Sequence, residues 1–133
     1  MNIEERVRIA LDIHHQAVVA AYLDVINLSK KDAMKLGYGL GGGIGMMREV
    51  CGTVVGAAMV ISHKFGKEEP DPKLKKEIYN KVSEFGKDFE SKHGSIVCGE
   101  LLGLRKTEKA VNKKSCDQLI EDSVRLLEKY VID

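Results

Sequence analysis

The sequence predicts an all-α fold: a single compact multi-helix domain over residues 1–133, with about five to six helices and a glycine-rich loop before a central apolar helix. Three observations carry this. Apolar residues recur at intervals of three and four along most of the chain, the spacing of a helix with one buried face. Alternating Val/Ile/Thr-rich segments, the mark of half-buried strands, are missing. Each periodic run is also bracketed by residues that start or stop helices.

In the first run Ile3, Val7, Ala10, Leu11, His14, Val18, Ala21 and Val25 form one stripe, which predicts a helix ending near Leu28. Ser29 with Asp32 three residues on predicts a capped short helix over 30–36 that stops at Gly37. Six glycines then crowd positions 37–45. The most apolar helix is expected over about 44–65, with Met47, Cys51, Val54, Ala58, Ile61 and Phe65 inward and Gly66 as its stop. Asp71-Pro72 is a cap followed by proline at the first helical position, and Leu74, Ile78, Val82, Phe85 and Phe89 carry that helix to about Lys92. Gly94-Ser95 ends it and caps a short helix containing Cys98, Leu101 and Leu102. Ser115 and Gln118 have the spacing of a capping box, opening a last helix with Cys116, Leu119, Ile120, Val124, Leu127 and Val131 inward.

The 21 Lys and Arg balance the 20 Asp and Glu, so no field steers nucleic acid or anionic lipid toward the chain. The apolar run 50–61 is far shorter than the roughly 20 residues of a membrane span, so membrane insertion is not expected. The chain opens directly into an amphipathic pattern, with no leader-like segment, which predicts a cytoplasmic protein. Three cysteines in a reducing compartment are then buried thiols, metal ligands or redox groups rather than staples.

Cys51, Cys98 and Cys116 all fall on expected inward faces. As small hydrophobes they need no reactivity. Cys98 and Cys116, however, each sit in an expected first helical turn, where free N–H groups favour a thiolate. His14 occupies the stripe of the first helix, where an imidazole needs a partner. Three sulfurs and one imidazole are an ordinary donor set for tetrahedral zinc and a workable one for an iron–sulfur cluster, so His14, Cys51, Cys98 and Cys116 are the candidate metal ligands. His15 is the reserve candidate; His63 and His93 read as surface or capping residues. Gly37, Gly39 and Gly42 formally fit G-x-G-x-x-G, but they follow a helix and lack the acidic residue a dinucleotide site needs. The loop instead lets backbone pass close to the core, or turns its amides toward Cys51 or an anion, which makes Gly41, Gly42, Gly43, Gly45 and Gly52 the candidate cofactor-binding positions. Gly52 and Gly56, spaced by four, invite close approach by another backbone.

The run Gly41-Gly42-Gly43-Ile44-Gly45, then Glu49-Val50-Cys51-Gly52-Thr53-Val54-Val55-Gly56, then 93–102 with Cys98, then Cys116, resembles the C-GCAxxG-C-C family of putative redox-active proteins, helical proteins marked by four cysteines and a CGAxxG motif. The parts occur in the family's order, including the lead-in 13–18, which looks like the first-cysteine segment. Thr53 stands where the motif has alanine, and His14 where the resemblance puts the first cysteine. Imidazole binds metal but forms no disulfide. The resemblance therefore implies a redox-associated protein, an oxidoreductase or electron-transfer accessory, whose four positions hold a Zn or Fe ion or an iron–sulfur cluster. A related domain in split-Soret cytochromes gives an electron-transfer setting by analogy. A second reading has two of Cys51, Cys98 and Cys116 as catalytic thiols cycling to a disulfide with a redox partner protein. A third is a metal-free helical interaction protein acting as a homodimer.

Overall fold

The computed structural model describes residues 1–14, 16–111 and 113–133, and among them seven helices and no strand: α1 (Ile3–Ile13), α2 (Ala17–Ala21), α3 (Lys30–Gly37), α4 (Gly52–Phe65), α5 (Pro72–His93), α6 (Cys98–Leu101) and α7 (Cys116–Val131). Three of the expected caps are in place. Ser29 Oγ accepts from the Asp32 N–H at 3.1 Å, Asp71 Oδ1 from Lys73 and Leu74 at 3.0 Å each, and Ser115 Oγ from Gln118 at 3.2 Å. Gly94 closes α5 at φ +89°, where an added Cβ would stand 2.1 Å from the Ala110 carbonyl oxygen.

Helix α4 packs against α2, α5 and α7, and α1 against α2 and α7. Leu119, Ile120, Val124, Leu127 and Val131 of α7 are buried as expected. Gly52 admits the Leu40 and Gly41 backbone, 3.4 and 3.7 Å from where its Cβ would be, and Gly56 admits the Val18 side chain. The glycine face of α4 thus receives both the loop and α2.

The first stripe is two helices, not one running to Leu28. Helix α1 ends at Ile13 and α2 begins at Ala17, and His14 and Gln16 take left-handed φ values of 60° and 45°. Every residue of α2 is buried, so its apolar residues prolonged the spacing of α1 without continuing it. The expected central helix likewise starts at Gly52 rather than near Ile44. Between them the chain coils left-handed, with Gly42, Gly43, Ile44, Gly45, Met46 and Arg48 all at φ between 54° and 70°. Amides reach back along this coil from Gly45 to the Gly39 carbonyl at 2.8 Å and from Glu49 to Gly43 at 3.0 Å. Glycine favours such backbone over helix. Met47, expected inward, is therefore exposed. The short helix begins at Cys98 because the Cys98 N–H is taken by the Glu49 carbonyl at 2.6 Å; Ser95 instead accepts from the Val97 N–H and donates to Glu100.

Two buried polar groups anchor the core. Arg6 stacks over the Tyr22 ring at 4.4 Å, donates to the Ala21 carbonyl at 2.9 Å and forks onto both Asp24 carboxylate oxygens; Tyr22 itself donates to the Val124 carbonyl at 2.6 Å. His93, read from sequence as a surface or capping residue, is 1% exposed and stacks against Phe89 with ring centroids 4.5 Å apart. Burial lowers its pKa from 6.5, Asp122 opposes that shift, and Lys114 and Lys92 reinforce it.

Because Arg6 is buried, Arg6→Ala is expected to cost roughly 2–3 kcal/mol in urea unfolding, whereas Arg125→Ala, at the surface pair with Glu4, should cost under about 1 kcal/mol. The His93 sign follows from its lowered folded pKa. The unfolded chain takes up a proton below 6.5 that the folded chain resists, so this contribution is complete above 6.5 and declines as pH falls toward the depressed folded value. Unfolding midpoints at about pH 5.5 and about pH 7.5 should differ in that direction, and His93→Leu should reduce the difference.

Candidate functional site

Residues 50 and 97 form an isolated antiparallel bridge. It is flanked by two hydrogen bonds: Cys51 N–H to the Ile96 carbonyl at 2.8 Å, and Cys98 N–H to the Glu49 carbonyl at 2.6 Å. Side chains alternate about such a pairing. Val50 lines a separate apolar hollow, while Cys51 and Cys98 both line a cavity of about 260 Å³ between α2, α4 and the glycine loop. Cys51 caps the N-terminus of α4 and Cys98 begins α6. Each is 7% exposed.

The two sulfurs lie in different fields. Burial pushes the Cys51 thiol up; the Thr53 hydroxyl, 3.1 Å from Sγ, and backbone amides pull it down, and Cys98 is near enough to push it up again. Cys98 Sγ receives the Arg48 guanidinium at 3.7 Å. A cation there lies where negative charge develops when a thiol reacts. The Gly99 position is closed in by the Arg105 and Arg48 side chains, and Glu49 holds Arg105 charged through a 3.0 Å ion pair.

The other candidates are also at this cavity, in different roles. His14 and Cys116 line it, but neither is a core residue. His14 caps α1 with its side chain half exposed, and its Nε2 pairs with Asp117 Oδ1 at 3.0 Å. Cys116, expected inward on the last stripe, is exposed, because the first turn of α7 extends beyond the packed core. Gly41, Gly42, Gly43 and Gly52 line the cavity; Gly45 is not among its lining residues and serves the left-handed coil. His15 lies outside the described residues. Among the described residues no three His, Cys, Asp or Glu side chains are grouped to hold a metal ion.

A family model described as "Putative redox-active protein (C_GCAxxG_C_C)" matches residues 15–130. The chain belongs to this family. The match begins one residue beyond His14 and contains all three cysteines of this C_GCAxxG_C_C protein. No curated protein and no solved structure matches the chain. No helix among the described residues is long and apolar enough to cross a membrane.

Two cavity residues escaped the sequence reading. Arg48 stands alone between glycine-rich and apolar stretches, where no spacing rule singles out a cation. Gln16 follows the helix break, and its Oε1 is buried with no hydrogen-bond partner.

Burial ranks the thiols. One equivalent, Cys116, should react promptly with a bulky thiol reagent such as a polyethylene-glycol maleimide, and Cys51 and Cys98 should follow at least about tenfold more slowly until denaturant is added. Cys116→Ser should remove the fast phase alone.

Proposed function

We propose that this chain is a thiol–disulfide redox protein whose working pair is Cys51 and Cys98. The observation that carries the reading is the bridge: it brings the only two buried cysteines among the described residues to one cavity, with Cys98 near enough to push the Cys51 thiol up. Exchange begins at Cys98, beside the Arg48 charge. Its thiolate attacks one sulfur of a partner disulfide, expelling one partner thiolate and forming a mixed disulfide. Cys51 then attacks Cys98 Sγ, and the second partner thiolate leaves. The protein is oxidised by two electrons and the partner reduced by two. Burial keeps Cys51 as a thiol until the mixed disulfide forms, and Thr53 can accept its S–H proton in a hydrogen bond. A redox partner protein and a reducing compartment such as the cytoplasm suit this chemistry.

The second reading is a metal ion, Zn or Fe, or an iron–sulfur centre. What favours it is that His14, Cys51, Cys98 and Cys116 all border one cavity. The pairing of His14 with Asp117 and the exposure of Cys116 favour the thiol cycle instead.

The two readings separate on anaerobically purified protein. The thiol cycle expects colourless, metal-free protein that on mild oxidation loses two thiols and two hydrogens in mass, with Cys51 and Cys98 joined on peptide mapping. Cys51→Ser and Cys98→Ser should each abolish that bond, while Cys116→Ser should retain it. Stoichiometric metal with thiolate charge-transfer absorption, lost in all three variants, would establish the second reading in its place.

A further inference from the structure

The cavity holds more polar chemistry than a pair of thiols requires. Arg48 is half-buried, and among the described residues its guanidinium hydrogen-bonds to Cys98 Sγ and pairs with no carboxylate. Arg6, Arg105 and Arg125, by contrast, each engage an Asp or Glu. A half-buried guanidinium that pairs with no carboxylate has donors left, beside the one on Cys98, for an anion with planar oxygens. Gln16 supplies the complementary group, a buried acceptor oxygen that no donor satisfies, in the lining of the same cavity. Both residues hold left-handed backbone, with φ of 62° and 45°, which side chains other than glycine's rarely adopt. Strain of that kind gathers at ligand sites, where the fold fixes a side chain against its preference. Between these polar groups the lining is mostly apolar, with Val18, Leu101 and Ile120 suited to methylene groups. At about 260 Å³ the space suits a small molecule of roughly a dozen heavy atoms rather than a nucleotide or a folded chain.

From these features we infer that the cavity binds a small disulfide carrying a carboxylate and an N–H group, as cystine does, with the carboxylate on Arg48 and the N–H donating to Gln16 Oε1. The inference rests on the thiol–disulfide reading and gives it a substrate class. Anchored in this way, the ligand's sulfur–sulfur bond lies in the cavity that contains Cys98 and Cys51. The Cys98 thiolate attacks one ligand sulfur and expels the first half as a thiolate; Cys51 then displaces the second half from Cys98, and the Cys51 S–H proton leaves on that half. One disulfide is consumed, two small thiols are released, and one protein disulfide forms, so atoms and electrons balance without a further oxidant.

The test compares second-order rates at which four disulfides oxidise the reduced protein: L-cystine, 3,3′-dithiodipropionate with carboxylates only, cystamine with amines only, and neutral bis(2-hydroxyethyl) disulfide. Rates relative to the neutral reagent are the readout, because loss of Arg48 also alters Cys98 toward every disulfide alike. Cystine and dithiodipropionate are expected to exceed the neutral reagent by about tenfold or more, and cystamine to show no such gain. Arg48→Met should collapse the carboxylate preference and Arg48→Lys restore part of it. Gln16→Leu should narrow the gap between cystine and dithiodipropionate alone. Binding of the non-exchangeable thioether 3,3′-thiodipropionate to the Cys51→Ser/Cys98→Ser protein, followed by calorimetry, isolates recognition from chemistry. Rapid exchange with no carboxylate preference, or a preference that survives Arg48→Met, overturns the substrate class and leaves the thiol cycle standing. Thiodipropionate binding that requires Arg48, with no exchange by any reagent, upholds the anion site and overturns the redox reading beneath it.

Discussion

Two backbone hydrogen bonds hold the site together. Donated by the Cys51 and Cys98 amides, and joined by a third from the Gly99 amide to the Arg48 carbonyl at 3.0 Å, they fasten the stretch before α4 to the start of α6. Neither stretch has a helix at the junction, and without the pairing each would leave unsatisfied polar backbone beside the core. The same two residues that carry the sulfurs therefore supply the donors. This constraint couples position to chemistry: a displacement that breaks the bridge separates the sulfurs as well, so the fold cannot loosen locally while keeping the pair together. Glycine at 99 belongs to the same arrangement, because a Cβ there would press on the Arg105 and Arg48 side chains at 3.1–3.3 Å.

The left-handed coil over 42–48 is the second requirement. It brings the chain from α3 back across the N-terminus of α4 within a few residues, which extended backbone could not do in that space. Glycine bears most of the conformation. At Gly43 an added Cβ would lie 2.6 Å from the Glu49 amide nitrogen, so that position tolerates no side chain. Ile44, Met46 and Arg48 adopt the same region without glycine's freedom. For Ile44 and Met46 the compensation is the surrounding run of backbone hydrogen bonds. Arg48 has in addition the contact with Cys98, so that strain in the coil is placed where it turns a charge onto sulfur.

What the sequence made legible was decided locally. The caps at Ser29, Asp71 and Ser115, and the stop at Gly94, depend on residues within three or four positions of one another, and each forms as its spacing demands. The buried stripe of α7 was legible for the same reason, apart from Cys116, whose periodicity fits while its turn overhangs the core. The misreadings arose where periodicity met long-range packing. A stripe running from Ile3 to Val25 cannot distinguish one helix from two that share a core, because α2 is buried all round and any apolar residue fits it. His93 was misplaced because its spacing from Phe89 marks the same face, yet its polarity suggested the surface. His14, Cys51, Cys98, Cys116 and four of the five candidate glycines border one cavity while Gly45 does not, and whether a border residue points its lone pairs inward depends on packing that spacing does not encode.

The division of labour among the cysteines follows from dielectric and charge rather than from their order in the chain. A thiolate at Cys51 would sit in a desolvated position with a hydroxyl for company, and a second thiolate at Cys98 would add repulsion; both effects keep Cys51 protonated. Cys98 is as buried as Cys51 but has the Arg48 guanidinium against its sulfur. An asymmetric pair of this kind suits sequential exchange, in which one sulfur initiates and the other acts only after the first is bonded, since two thiolates confined together would repel without doing chemistry. A tetrahedral metal centre asks for something different. All of its donors must face one point at about 2.0–2.3 Å, with charge compensated by the ion. Here a guanidinium hydrogen-bonds to the Cys98 sulfur without ligating it and leaves the sulfur's remaining lone pairs open to a reacting molecule.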